Sequence, residues 1–137
     1  MTPTEVADYL IRKLNKEGFL IQRYDARSTN SIYLKLDYGV AKSIRISDHK
    51  GFENLHYTFN VECGREEDDI SIEDGTLRYY YTPKEQSLDN LVAEAVKVKS
   101  KLWKKLGGKK YAQRMNHNLR EGMNQDYYKF WHRAKLV

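Results

Sequence analysis

The stretch SIYLKLDYGVAKSIRIS, residues 31–47, carries a period of two on both sides of a break. Ile32, Leu34 and Leu36 alternate with Tyr33, Lys35 and Asp37; beyond a turn around Gly39, Ile44 and Ile46 alternate with Ser43, Arg45 and Ser47. Successive strand side chains point to opposite faces, so the pattern predicts a β-hairpin with one buried and one polar face. On this reading Arg45 and Ser47 lie on the exposed face.

The flanks extend the sheet. Before the hairpin, FLIQRYDA (19–26) is rich in strand formers and leads into the polar loop RSTNS. After Gly51, Leu55, Tyr57, Phe59, Val61 and Cys63 alternate with polar neighbours, predicting a further half-buried strand. The acidic stretch 64–75 reads as a loop or a strand-bearing excursion, and TLRYYY (76–81) returns to the sheet.

Helices bracket these strands. Thr2-Pro3-Thr4-Glu5 combines an N-cap hydroxyl, a proline at the first helical position and a Glu at the third, a capping box. Val6, Tyr9, Leu10, Lys13 and Leu14 follow at helical spacing, with Gly18 as the stop. A second such box, Thr82-Pro83-Lys84-Glu85, with Ser87 as a competing cap, opens a long helix. Its stripe of Leu88, Leu91, Val92, Ala95, Val98, Leu102 and Leu106 ends at Gly107-Gly108 and is expected to cover the sheet. Two shorter helices are expected after it, one over about 109–120 and one capped by Asn124 and running through QDYYKFWHRAKL. The layout is a single α+β domain over residues 1–137: an N-terminal helix, a mostly antiparallel sheet of about five strands, then a long covering helix and two shorter ones.

Composition narrows the function classes. The single cysteine, Cys63, leaves no internal disulfide framework and fits a reducing compartment. No apolar run approaches the roughly 18 residues that span a bilayer, and the N-terminus carries neither a basic nor an apolar signal region. The expectation is a cytoplasmic protein without membrane contact. The net charge of +5 is unevenly spread. Residues 97–137 hold twelve Lys or Arg against two acids, Glu121 and Asp126, a surplus of ten. The remainder is acidic, with Glu62, Glu66, Glu67, Asp68, Asp69, Glu73 and Asp74 crowded together.

The basic third is the strongest compositional signal. Lys97, Lys101, Lys104 and Lys105 flank the stripe of the long helix, and Lys109, Lys110, Arg114 and Arg120 continue into the next. Such a surface neutralises phosphates. In YYKFWHR, the aromatics Tyr127, Tyr128, Phe130 and Trp131 interleave with Lys129 and Arg133, which suits base stacking. Tyr127, Phe130, Trp131 and Ala134 also sit at helical spacing, which suits core packing. The acidic Glu66, Glu67, Asp68 and Asp69 suit either a solvated loop or docking on a basic groove; the order of a Ca²⁺ loop is absent.

Signatures of catalysis are missing: no phosphate-binding loop, no dinucleotide fingerprint, no metalloprotease helix and no nucleophile elbow. The four histidines stand at no metal-ligand spacing, and neither metal nor cofactor is expected. At the end of the hairpin, Asp48 suits an Asx-turn, and Arg45, Asp48, His49 and Lys50 together suit a binding surface. A relay between Asp48 and His49 needs a turn, since neighbours in a strand face apart.

Ser31, Tyr33, Ile44, Arg45, Ile46, Ser47, Asp48 and His49 carry a resemblance. A Ser-x-Ser-x-Tyr strand paired with an Ile-Arg-hydrophobic-Ser-(Asp/Asn)-His strand, followed by a helix here starting at Leu88, is similar to small proteins of phages and mobile elements of Gram-positive bacteria. Those include broad-spectrum anti-CRISPR inhibitors of type II-A Cas9, and the likeness extends over residues 28–106. It implies phage origin, a host-cell cytoplasmic setting and non-catalytic binding to a Cas9 ribonucleoprotein. Two alternatives stand beside it: a general DNA- or RNA-binding accessory protein, and a small nuclease centred on Asp48 and His49.

Overall fold

The computed structural model describes residues 1–27, 31–49, 52–60, 70–73, 76–123 and 134–137. Helix α1 (Pro3–Lys16) precedes strands β1 (Ile21–Asp25), β2 (Ile32–Leu36), β3 (Ser43–His49), β4 (Phe52–Asn60), β5 (Ile70–Glu73) and β6 (Thr76–Tyr81); helices α2 (Glu85–Leu106) and α3 (Gly108–Met123) and strand β7 (Lys135–Leu136) follow. The strands form one sheet in the order β5-β6-β4-β3-β2-β1-β7. All the pairings described are antiparallel. The α+β layout, the N-terminal helix, the antiparallel sheet and the later helices agree with the sequence reading.

Period two builds the hairpin as expected. Ile32 is opposite Ile46 and Leu34 opposite Ile44, and all four are buried. Register partners share a face, so this apolar row faces the helices. From α1 it meets Val6, Ala7, Leu10 and Leu14, and from α2 it meets Leu88, Leu91, Val92 and Ala95, in one core cluster. The first capping box forms: the Glu5 amide donates to Thr2 Oγ1 and the Thr2 amide donates to Glu5 Oε1, each at 3.2 Å. The hydrogen bond from Tyr9 Oη to Asp89 Oδ1, 2.7 Å, ties α1 to α2.

Several details depart from the sequence reading. Among the described residues the sheet has seven strands rather than about five. Both extra pieces are short: β5 follows the strand-bearing reading of the acidic stretch 64–75, and the unexpected β7 is two residues long on the outer edge of β1. The second capping box does not form. Lys84 occupies the N-cap with no side-chain bond, while Ser87 Oγ accepts from the Thr82 amide at 2.9 Å. Helix α3 is longer than expected at both ends. The last helix lies largely outside the described residues, and where it was expected to finish, Lys135 and Leu136 are strand.

The turn of the hairpin differs most. Asp37–Gly39 form a single 3-10 turn, with Asp37 (φ 49°), Tyr38 (φ 53°) and Lys42 (φ 71°) left-handed as well as Gly39 (φ 89°). A non-glycine residue in that region costs about 1–2 kcal/mol, so tertiary contacts must hold the turn in place. The twist carries Asp37 out of the alternating polar row and into the interior, where it is 1% exposed.

Candidate nucleic-acid interface

The basic surface is assembled on α2 and α3, which are joined by Gly107. That residue adopts φ 80°, and its amide donates to the Trp103 carbonyl at 2.8 Å. Without a Cβ, glycine accepts this conformation at little cost and ends the helix. Helix α3 then starts at once, with the Tyr111 amide donating to the Gly107 carbonyl at 3.1 Å. Lys97, Lys101, Lys104 and Lys105 on α2 are exposed, as are Lys109, Lys110, Arg114 and Arg120 on α3. In the last turns of α2, Lys104 and Lys105 also complement the negative end of the helix dipole.

A buried carboxylate holds both helices to the sheet. Asp37 Oδ1 accepts from the Leu20 amide at 2.9 Å. Its Oδ2 accepts from Tyr111 Oη at 2.5 Å and lies 2.9 Å from Lys99 Nζ. Lys99 Nζ also donates to the Gly18 carbonyl at 3.0 Å and sits 4.7 Å from the centre of the Phe19 ring. An uncompensated carboxylate in such a place would be very costly; here two neutral donors and one cation meet it. Asn118 Nδ2 adds a bond to the Tyr38 carbonyl, 2.9 Å, so α3 is fixed to the turn at two points.

The same turn gathers further cations. Burial pushes the Lys35 amine below its ordinary value, and burial together with the nearby Arg114 guanidinium does the same to Lys42. Among the described residues no carboxylate forms an ion pair with Lys42 or Arg114. The positive field of α3 therefore continues onto the hairpin turn.

The end of β3 is arranged differently from expectation. Ser47 is 3% exposed and Arg45 is half-buried, so the row predicted to face solvent is covered at this end. Arg45 Cζ lies 5.8 Å from the Tyr33 ring centre, and among the described residues Arg45 Nε and Ser47 Oγ are buried without a hydrogen-bond partner. The backbone stays extended through Asp48 and His49, opposite Glu53 and Phe52. Strand β3 thus runs through both residues, and the turn expected at Lys50-Gly51 lies outside the described residues. The residues Glu66, Glu67, Asp68, Asp69, Lys129 and Arg133 also lie outside them.

Residues given no functional role in the sequence reading organise the surface: Asp37, Lys99, Tyr111, Lys42 and Trp103. Trp103 left a readable signal, because a large aromatic off the apolar stripe and among lysines is misplaced for a core residue. Among the described residues no group of His, Cys, Asp and Glu is set to hold a metal ion, and no helix is long and apolar enough to cross a membrane. No family model, curated protein or solved structure matches the chain.

Proposed function

We propose that the protein acts by binding a nucleoprotein without turnover, laying the basic surface of α2 and α3 on nucleic acid. The observation that carries this reading is the row of exposed cations from Lys97 to Arg120 on two consecutive helices anchored through one buried carboxylate. Surface lysines alone serve solubility, but a surplus of ten charges over 41 residues exceeds what solubility asks for. Phosphates are the natural counter-surface.

The choice of partner rests on the hairpin motif. Its likeness to phage proteins that inhibit Cas9 supports an anti-CRISPR-type inhibitor that engages the guide RNA or DNA of a type II-A Cas9 ribonucleoprotein, with the acidic segment turned toward basic protein grooves. Cleavage of a target duplex by purified type II-A effectors, with and without the protein, tests this. Dose-dependent suppression is expected, and unimpaired cleavage across several such effectors would remove Cas9 as the partner.

A second reading, a general DNA- or RNA-binding accessory protein, is favoured by the fact that the cationic surface requires no particular effector. It predicts comparable affinity for free nucleic acid and for the ribonucleoprotein.

A further inference from the structure

We propose that Trp103 is a stacking platform for an unpaired base, which makes single-stranded nucleic acid the preferred ligand of the basic surface. The inference rests on the nucleic-acid reading above. Trp103 is 48% exposed, an unusual state for so large an apolar ring on a helix, here in the last turn of α2. It is nevertheless held by two neighbours. Its ring centre is 5.1 Å from that of Tyr111, at an interplanar angle of 43°. Its six-membered ring also lies so close to Gly108 that a Cβ there would come within 2.8 Å of Trp103 Cζ2. Tyr111 is in turn fixed by Asp37. The indole is thus pre-oriented, and little freedom remains to be lost when a ligand stacks on it.

Trp103 also lines a shallow groove of about 220 Å³ together with Glu17, Phe19, Val96, Lys99 and Ser100. That is below the roughly 300–1,000 Å³ of an enclosed small-molecule pocket, and it suits one flat ring whose sugar and phosphate stay in solvent. Lys104 adjoins the indole in the chain, and Lys109 and Lys110 follow the glycine beneath it; all three are exposed. An aromatic face flanked by cations that can follow a phosphate backbone is the general arrangement for single strands. Glu17 at the rim adds an acceptor for a base amino group.

Three probes separate the outcomes: an oligothymidylate, an abasic sugar-phosphate chain of equal length, and a blunt duplex. The oligothymidylate is expected to bind about 5- to 150-fold more tightly than the abasic chain and to quench the fluorescence of Trp103, read in a Trp131→Phe background. Trp103→Leu should bring its affinity down to that of the abasic chain and leave abasic binding unchanged. Should Trp103→Leu fail to fold, the wild-type comparison of the two single-stranded probes decides alone. Equal affinity for both, without quenching, would overturn the stacking role and leave the phosphate-binding surface standing. Tighter binding to the duplex would also overturn it. Absence of binding to any probe at low salt would remove the nucleic-acid reading itself.

Discussion

Asp37 and Tyr111, 74 residues apart in the sequence, share a 2.5 Å hydrogen bond in the interior. One end lies in a left-handed hairpin turn and the other on the first turn of α3, so the contact fixes the basic helices to the sheet. Removing the hydroxyl leaves the carboxylate with one donor fewer, and hydrogen bonds to charged groups contribute about 1.5–3 kcal/mol. Tyr111→Phe is expected to lower stability by that amount in urea denaturation. Lys99→Met should cost more, about 3 kcal/mol, because it strands a buried charge; the 21% exposure of Lys99 keeps the figure at the low end.

Lys42 is expected to be a stability liability kept for its charge. Its amine titrates below the ordinary 10.5 in the fold, chiefly from burial and then from Arg114. With the folded value depressed, the unfolded chain binds the proton more tightly between the two values, so this group's contribution to stability rises with pH through that window. Below it, the charged amine is a cost. Lys42→Asn, a residue that tolerates φ 71°, should therefore raise the denaturation midpoint at pH 7, by less than about 1 kcal/mol for so partly exposed a group. The gain should shrink as the pH rises toward 10.5, and nucleic-acid affinity should fall.

Ser47 offers a test of the covered strand end. Its buried hydroxyl has no partner among the described residues, and such a group costs about 1–3 kcal/mol of desolvation without return. Ser47→Ala is expected to be neutral within about 0.5 kcal/mol or to stabilise, as followed by thermal unfolding. A loss above 1 kcal/mol would mean that the hydroxyl has a bonding role.

The legible parts of the fold were those in which a residue's own neighbours determine its environment. The alternation of Ile32, Leu34, Ile44 and Ile46 showed the hairpin, and the Thr2 to Glu5 box showed where α1 begins. The stripe from Leu88 to Ala95 marked the covering helix. Asp37 was hidden because its burial depends on Lys99 and Tyr111, which lie far along the chain and have no periodic relation to it. Strand β7 was hidden because a two-residue edge strand pairs through backbone alone and leaves no side-chain pattern. At Ser47, alternation correctly gave the opposite face from Ile46, yet it could not show that this face is covered there. The cations of α2 and α3 were legible as composition. Their common mounting on the hairpin turn became visible only with the tertiary contacts.

The most direct measurement is the salt dependence of single-stranded nucleic-acid affinity for the wild-type protein and for a variant carrying Lys104→Gln, Lys105→Gln, Lys109→Gln and Lys110→Gln. Each phosphate neutralised on a single strand contributes about 0.7 to the slope of log affinity against log salt. The wild type should bind steeply more weakly as salt rises, and the variant should lose about 2–3 of that slope while unfolding at the same denaturant concentration. An unchanged slope in a folded variant would contradict the assignment of this surface to nucleic acid.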